Sequence, residues 1–311
     1  LLRDPSGNRR AIQDSFRGRL QSEKWQAHGA LGHPAAGRLG LASPRTRSFR
    51  SFISSAIIPA QNAMPTALPK HSQIVIVGGG VAGCSIAYHL CKLGITDVVL
   101  LERGQLTCGT TWHAAGLVMQ LRTTEVMTRL AAYGTELYHD IIAETGQETG
   151  LKRNGSLAIA STEDRLIEIN RMCALGRAFN IESHALTPSE AKDVYPYLDD
   201  TKIAGAVFIP RDGQTNPVDT TVALAKGAKR LGAKIVEGVR VEGFVRNGNR
   251  VSTVQTSLGD IDCETVVLAA GIWNPPLGAK AGVKIPLYAS EHMYVLAQAD
   301  FKAPPTLPVL R

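Results

Sequence analysis

The sequence predicts an α/β protein in which a Rossmann-like domain is split by an inserted α+β domain. Three observations carry this prediction. A strand, a glycine-rich turn and a helix follow one another from residue 74, and an acid closes the next apolar run. Much later, a second apolar strand ends in small residues near residue 270. A parallel sheet that is interrupted by another domain and then resumed gives this order of elements.

The first element is the segment Ile-Val-Ile-Val-Gly-Gly-Gly-Val-Ala-Gly at residues 74–83. Gly78 permits a tight turn, Gly80 lets the backbone approach a pyrophosphate, and Gly83 lets the following helix pack close to the strand. Glu102, at the end of the next strand, can accept hydrogen bonds from ribose hydroxyls. Together these features predict dinucleotide binding; the acid argues against NADP but does not separate NAD from FAD. A purely structural glycine turn is the alternative.

The remaining elements follow from periodicity and from turn residues. A helix is predicted over residues 124–145, with an apolar stripe formed by Val126, Leu130, Tyr133, Leu137 and Ile141. Other helices are predicted over 82–93, over 162–179 with Thr162 as its cap, from Thr187, and from Asp219 or a neighbour to Leu231. Strands are predicted over 97–101, 157–160, 205–209, 234–237, 238–245, 250–256, 260–268 and 286–297, with a hairpin turn at 247–249.

These elements divide the chain into five segments. We assign 1–70 to a presequence-like or disordered segment, 71–150 and 205–283 to the two parts of the Rossmann-like domain, and 151–204 and 284–311 to the two parts of the substrate domain. The final part is expected to be truncated, because a new strand has barely begun where the chain stops. We therefore expect an N-terminal fragment of a longer protein.

The formal charge of +7 is unevenly distributed. Residues 1–70 carry 11 basic and 3 acidic residues, a charge of +8, so the remainder carries −1. A nearly neutral folded part disfavours nucleic-acid binding. The segment 24–70 has no acid and is rich in Arg and Ser, as in a mitochondrial presequence; translated non-coding sequence before a start at Met64 is the alternative. No apolar run is long enough for a membrane span, and the five cysteines lack the spacing of a metal site.

A loop of small and hydroxyl residues, Thr110-Thr111-Trp112-His113-Ala-Ala-Gly116, follows the acid by about ten residues. In a split Rossmann protein this loop crosses near the ring end of the cofactor, where a neutral imidazole is a competent nucleophile. A histidine that only hydrogen-bonds to backbone is the alternative. Thr110 and Thr111 are expected to bind a phosphate or ring edge, or to cap the loop.

Residues 74–122, with this Trp-His loop and then Gln120-Leu121-Arg122, resemble the sarcosine and dimethylglycine dehydrogenase family. The resemblance extends over about residues 72–311. Further matches are Glu144-Thr-Gly, Asn154-Gly-Ser-Leu157, Tyr195-Pro196, Asp212-Gly213, Ala269-Ala-Gly-Ile-Trp273 and His292-x-Tyr294. The Trp-His loop is specific, whereas the glycine motif is shared by many flavoproteins. The resemblance implies a D-amino acid oxidase-like fold.

The same resemblance implies a chemistry. In that family FAD is attached covalently through the histidine that matches His113, and an N-methyl amine is oxidised by hydride transfer from the N-methyl carbon to flavin N5. The iminium then releases formaldehyde, or its one-carbon unit passes to tetrahydrofolate on a C-terminal domain expected outside this chain. Electrons pass to electron-transferring flavoprotein in the mitochondrial matrix. Sarcosine is the favoured substrate and dimethylglycine the rival. A non-catalytic regulatory subunit, which lacks the Trp-His pair, and an inactive fragment are the other interpretations.

Site residues follow from the resemblance and from the motifs. His292 and Tyr294 alternate with Met293 on a predicted strand, so both are expected to face one side of it. The resemblance implies that this side fronts the flavin, and both are candidate substrate-site residues. Arg122 and Arg153 are candidate partners of the substrate carboxylate; a polar strand face and solvated surface arginines are the alternatives. Asp212-Gly213 is either a turn or a loop over the flavin. The candidate cofactor-binding residues are Gly78, Gly80, Gly83, Glu102, Arg103, Thr110, Thr111, His113, Gly116, Val239, Ala270 and Gly271.

Overall fold

A computed structural model describes residues 67–293, 295 and 304–311. Its strands are β1 His71–Val77, β2 Val98–Glu102, β3 Leu117–Val118, β4 Ser156–Ala160, β5 His184–Leu186, β6 Gly205–Ile209, β7 Gly213–Gln214, β8 Lys234–Glu237, β9 Val241–Asn247, β10 Arg250–Thr256, β11 Gly259–Leu268 and β12 Val309–Leu310. Its α-helices are α1 Val81–Lys92, α2 Glu125–Thr145, α3 Glu163–Ala178, α4 Pro188–Val194, α5 Pro217–Arg230 and α6 Asn274–Lys280. Short 3₁₀ helices span Thr110–His113, Asp200–Lys202 and Gly271–Trp273. Residues 1–66 of the predicted presequence-like segment 1–70 lie outside the described residues. Residues 67–70 belong with the larger sheet, because Leu68 packs on its core and the Lys70 carbonyl oxygen accepts from the Asp262 N–H at 2.9 Å.

The larger sheet has the strand order β8-β2-β1-β11-β10-β9. The first four of these strands are parallel, whereas β10 pairs antiparallel with both β9 and β11. Both faces of β1 are covered, because Ile76 packs with α1 and α5 while Val75 packs with the β9–β11 strands. Such double coverage explains the continuous apolar runs of the parallel strands. The predicted Rossmann-like α/β fold is confirmed.

The smaller sheet has the order β12-β4-β6-β5, with β6 antiparallel to both β4 and β5. Helix α3 covers one face of this sheet and α4 the other, around residues such as Val207 and Phe208. The sequence placed residues 205–209 in the resumed Rossmann-like domain. The predicted boundary between residues 204 and 205 would separate β6 from its own sheet, because the backbone of β6 hydrogen-bonds to β4 on one side and to β5 on the other. The α+β unit therefore runs at least through Ile209.

Helix starts follow the expected capping chemistry. The Thr162 hydroxyl accepts a hydrogen bond from the N–H of Arg165 at 3.2 Å, as predicted for the cap of α3. Helix α5 begins at Pro217, two residues before the predicted Asp219, because the Asn216 side chain accepts from the N–H groups of residues 218 and 219. Proline at the first helical position has no N–H to leave unpaired.

Helix α2 buries two of the five residues of its apolar stripe. Leu137 and Ile141 are buried in the core shared with α1 and α5. Val126, Leu130 and Tyr133 are 76%, 62% and 47% exposed. The predicted helix is confirmed, but only the C-terminal half of α2 packs on that core. No described helix is both long and apolar enough to span a bilayer.

The strand predicted over residues 286–297 is absent from the described part of that segment. Residues 283–293 form neither helix nor strand, and Tyr288 and Met293 are 92% and 96% exposed. A strand needs a hydrogen-bonding neighbour, and no described strand pairs with these residues. The expected alternation around His292 is therefore not observed there.

Candidate functional site

The turn between β1 and α1 requires glycine at two positions. Gly78 has φ +117°, and a Cβ on it would lie 2.5 Å from the Ala269 carbonyl oxygen. A Cβ on Gly83 would lie 1.9 Å from the Gly78 carbonyl oxygen. Side chains are excluded at both positions, so β1, α1 and the end of β11 approach one another closely. This is the tight packing that the sequence motif predicted.

The Thr110–His113 turn lies against the start of α1. The Thr111 hydroxyl accepts a hydrogen bond from the N–H of Val81 at 3.0 Å. Gly80, the residue before the helix, has no side-chain cap of its own. The first N–H groups of a helix form a natural anion site, and Thr111 borders that site here. Capping of α1 is thus one role of Thr111.

Glu102 is held in place by two backbone donors. Its Oε2 accepts from the N–H of Gly79 at 2.7 Å and its Oε1 from the N–H of Gly104 at 2.8 Å. The side chain is 9% exposed. Each carboxylate oxygen has two acceptor sites, so capacity remains for further donors. A fixed carboxylate of this kind can accept hydrogen bonds from a ribose.

These elements enclose a cleft of about 400 Å³. Apolar atoms make up much of its surface, through residues such as Val77, Leu101, Ala269 and Leu277. The predicted residues that line it are Gly78, Gly80, Glu102, Arg103, Thr110, Thr111, Val239, Ala270 and Gly271. Gly83, His113 and Gly116 do not line it. Gly83 lies behind the turn, and the other two follow the lining part of the loop.

Three residues that were not predicted from the sequence also line the cleft: Arg240, Trp273 and Lys280. The Arg103 guanidinium lies 4.0 Å from the centre of the Trp273 ring, within range of a cation–π contact. Arg240 and Lys280 add two further cations. Trp273 lies two residues after Gly271, and this short spacing could have predicted that Trp273 lies at the cleft. The two basic residues carry no motif, because their positions depend on how β9 and α6 pack.

His113 ends the 3₁₀ turn and is exposed. Its ring centre lies 3.8 Å from that of Trp112, and its Nδ1 lies 3.2 Å from the Gly109 carbonyl oxygen. A carbonyl only accepts, so Nδ1 is the donor in this contact, and in a neutral imidazole Nε2 then has the lone pair. The backbone hydrogen bond expected under the alternative interpretation is present, but it leaves Nε2 available.

The proposed substrate residues lie outside the cleft lining. Arg153 is already paired: its Nη2 lies 2.9 Å from Glu136 Oε2 and 3.2 Å from the Thr135 carbonyl oxygen. Arg122 is half-buried and interacts electrostatically with Asp212. His292 is exposed, and Tyr294 lies outside the described residues. Their substrate roles stay predictions.

Asp212 is the polar residue that sequence reasoning undervalued. It is 1% exposed, and its carboxylate accepts from the Gln120 N–H at 2.8 Å and from the Ser156 hydroxyl at 2.7 Å. Burial raises the pKa of the Asp212 carboxyl, while these hydrogen bonds and the charge of Arg122 oppose the rise. An Asp-Gly pair usually marks an exposed turn, so the sequence carried no signal of burial.

Cysteine chemistry is disfavoured at Cys84. Cys84 on α1 is buried, and desolvation raises the pKa of its thiol to about 12. The thiol therefore stays protonated at neutral pH and is unreactive. Across the described residues, no group of three or more His, Cys, Asp or Glu side chains could hold a metal ion.

The chain matches the family described as FAD dependent oxidoreductase over residues 73–310. It belongs to that family. It is 41% identical over 250 residues to mitochondrial sarcosine dehydrogenase of Mus musculus, covering 78% of this chain and 27% of that protein. It is 42% identical over 259 residues to the formaldehyde-forming 4-methylaminobutanoate oxidase of Paenarthrobacter nicotinovorans, covering 83% and 31%.

Two further similarities bear on function and fold. The mitochondrial pyruvate dehydrogenase phosphatase regulatory subunit of Mus musculus is 37% identical over 253 residues, covering 81% of this chain and 28% of that protein. The chain thus spans under a third of the length of these curated relatives. The crystal structure of L-proline dehydrogenase from P. horikoshii superposes with a TM-score of 0.66 at 31% identity, covering 70% of this chain and 57% of that one.

The residues of the cleft fit the family's cofactor. The turn at Gly78 and Gly83 leaves no room for side chains beside the helix N-terminus, where a pyrophosphate would be bound. Glu102 offers a fixed acceptor, and Arg103, Arg240 and Lys280 supply positive charge that complements a dianionic pyrophosphate. The apolar lining suits flat rings. FAD is therefore the dinucleotide for which this cleft is suited.

Proposed function

We propose that this protein oxidises an N-methyl amino acid in an FAD-dependent reaction, with sarcosine as the favoured substrate. The observation that carries the proposal is the position of His113. It ends the same 3₁₀ turn whose first residues, Thr110 and Thr111, line the cofactor cleft. A side chain with a nucleophilic nitrogen thus lies two residues after the residues that line the cofactor site. We propose that His113 is the covalent attachment site of FAD.

Bound FAD supplies the two-electron acceptor of such an oxidation. The protein must hold the cofactor, recognise the substrate carboxylate and accommodate an amine that has lost its proton. We assign cofactor binding to the glycine turn, Glu102 and the cations of the cleft. For carboxylate recognition Arg122 is the stronger candidate, because Arg153 would first have to leave Glu136. His292 and Tyr294 remain our candidates beside the amine.

The context of the reaction is also proposed. The names of the sarcosine dehydrogenase and regulatory relatives place them in mitochondria. The arginine-rich, acid-free segment 24–70 supports the same location, the matrix, for this protein. Electron-transferring flavoprotein is the proposed electron acceptor.

A substrate panel tests the function. The full-length protein is incubated with sarcosine, N,N-dimethylglycine or 4-methylaminobutanoate and a dye acceptor, and dye reduction and formaldehyde are measured together. We expect turnover with equal yields of reduced dye and formaldehyde, and the highest kcat/KM for sarcosine. A higher value for dimethylglycine would assign the rival substrate. Flavin-loaded protein that turns over none of them would overturn the proposal.

A non-catalytic regulatory role is the second candidate. The similarity to a phosphatase regulatory subunit favours it. His113 argues against it, because a regulator has no use for a covalently bound flavin. Flavin-loaded protein without turnover in the substrate panel would favour this second candidate.

A further inference from the structure

A buried polar network joins three segments of the chain at Asp212. Its Oδ1 accepts from the backbone N–H of Gln120, and its Oδ2 accepts from the Ser156 hydroxyl. The Asp212 carbonyl oxygen accepts from the N–H of Gly155 at 2.8 Å. The three segments are the end of the His113 loop, the start of β4 and the corner between β6 and β7.

The same corner extends toward His113 through backbone pairing. Strand β3 follows the loop and pairs antiparallel with β7. Before β3, the Gly116 carbonyl oxygen accepts from the N–H of Thr215 at 2.8 Å. After β3, the Asp212 side chain receives the N–H of Gln120. Residues 116–120 are therefore tied at both ends, and His113 lies three residues before this tied stretch.

The other side of β7 is fixed as well. The N–H of Lys152 donates to the Gln214 carbonyl oxygen at 2.8 Å, and the N–H of Gln214 donates back at 3.1 Å. Strand β7 is thus held between two segments, and Asp212 immediately precedes it. A carboxylate suits this point, because it accepts from several donors at once and is close to the charge of Arg122.

We propose that Asp212 is a positioning residue whose buried carboxylate fixes the His113 loop to the small sheet and so orients His113 for reaction with FAD. This inference rests on the proposed attachment of FAD to His113. Asp212 does not line the cofactor cleft. It acts through Gln120 and the β3–β7 pair.

Two substitutions of Asp212, to Asn and to Ala, distinguish the effect of its hydrogen bonds from the effect of its negative charge. Asp212→Asn keeps an oxygen for the Gln120 N–H and can donate its amide to the Ser156 oxygen, so the loop should stay in place. Asp212→Ala removes both acceptors. Thr145→Ala is the matched control, because it deletes a buried hydroxyl hydrogen bond to the Ile141 carbonyl on α2, outside the cleft. Ser156→Ala serves where Asp212→Ala does not fold, since it removes one bond of the same network.

The experiment combines hydrogen exchange with flavin attachment in the full-length protein. We expect peptides covering residues 113–122 to exchange at least tenfold faster in Asp212→Ala, and at the wild-type rate in Asp212→Asn and Thr145→Ala. We also expect a several-fold slower gain of covalent flavin when the Asp212→Ala apoprotein is mixed with FAD in aerated buffer. The new C–N bond to His113 replaces a C–H bond of the flavin 8-methyl group; its proton goes to solvent and its two electrons pass through the flavin to dioxygen. Restoration by Asp212→Asn is expected for both readouts.

The outcomes distinguish this inference from the proposed function. Unchanged exchange over residues 113–122 in Asp212→Ala overturns the positioning role, whether or not the flavin is covalent. Equal slowing of flavin attachment in Thr145→Ala also overturns it, because general destabilisation then explains the effect. Wild-type protein without covalent flavin overturns the role of His113 as the attachment site. It also overturns the orienting role of Asp212, even if faster exchange in Asp212→Ala shows that Asp212 holds the loop.

Discussion

The Glu102 carboxylate accepts a 2.7 Å hydrogen bond from the backbone N–H of Gly79, which ties the end of β2 to the glycine turn after β1. The N–H of Gly104 donates to the other carboxylate oxygen. Two N–H donors aimed at one side chain require acceptors on both of its oxygens, and an ionised carboxylate provides them. The structural role of Glu102 and its proposed role in binding FAD are therefore coupled.

Glu102→Gln should disturb both roles. The amide group places a donor against one of the two N–H groups, so we expect the free energy of unfolding to fall by about 1–3 kcal/mol. In a His113→Ala background, where FAD can dissociate, we expect FAD affinity to fall about tenfold, equivalent to about 1.4 kcal/mol. Urea unfolding and flavin titration measure the two effects.

Glu237→Gln is the matched control. Glu237 pairs in register with Glu102 on β8 and accepts from the N–H of Leu106, but it does not line the cleft. The amide oxygen can still accept this single N–H, so the variant should keep both its stability and its FAD affinity. Equal loss of affinity in both variants would show that Glu102 has no specific contact with the cofactor.

Gly83→Ala should be strongly destabilising. Its Cβ would overlap the Gly78 carbonyl oxygen, which is backbone and cannot rotate away. We expect a loss of about 1–3 kcal/mol or more in unfolding free energy. Gly134→Ala on α2 meets nothing within 4 Å and should instead gain about 0.5–1 kcal/mol. Urea unfolding of the two variants should therefore give opposite signs, and equal signs would contradict the turn geometry.

The two halves of α2 should respond differently to truncation. Ile141 is fully buried, so Ile141→Ala should cost about 2–5 kcal/mol. Leu130 is 62% exposed, so Leu130→Ala should stay within about 0.5 kcal/mol of the wild type. Chemical denaturation measures both. A large cost at Leu130 would show that its side chain is buried in the natural protein.

Asp212 gives stability a defined pH dependence. Burial raises the pKa of this carboxyl in the folded state, so the folded protein binds the proton more tightly than the unfolded chain does. The resulting stabilisation is complete below the unfolded pKa, about 3.9. It is lost as pH rises through the folded pKa. The wild type should therefore lose stability relative to Asp212→Asn across that window, as measured by urea unfolding at a series of pH values. A constant difference between the two proteins would contradict the raised pKa.

The parts of the fold that the sequence predicted are those with strong local rules. The turn at Gly78 and Gly83, the acid Glu102 and the cap at Thr162 each depend on a residue type at a fixed offset. Local rules also gave most helix and strand positions. Nine of the predicted cofactor residues line one cleft, because the ends of adjacent parallel strands meet at one edge of the sheet.

The features that the sequence did not reveal depend on partners that are distant in sequence. The stripe on α2 has one period throughout, yet only Leu137 and Ile141 of its five residues are buried. The sequence of β6 is typical of any apolar strand and does not determine which sheet it joins. Its pairing with β4 and β5 places it in the smaller sheet. The burial of Asp212 depends on Gln120, 92 residues earlier. Periodicity and motifs carry no information about such contacts.

The most direct test of the account is whether flavin is bound covalently at His113. The full-length wild type and His113→Ala are precipitated with acid, and flavin fluorescence is measured in a denaturing gel. We predict a fluorescent protein band in the wild type, and in His113→Ala no band but FAD released into the acid supernatant. Wild-type protein without a fluorescent band, or a band that persists in His113→Ala, would contradict the central claim.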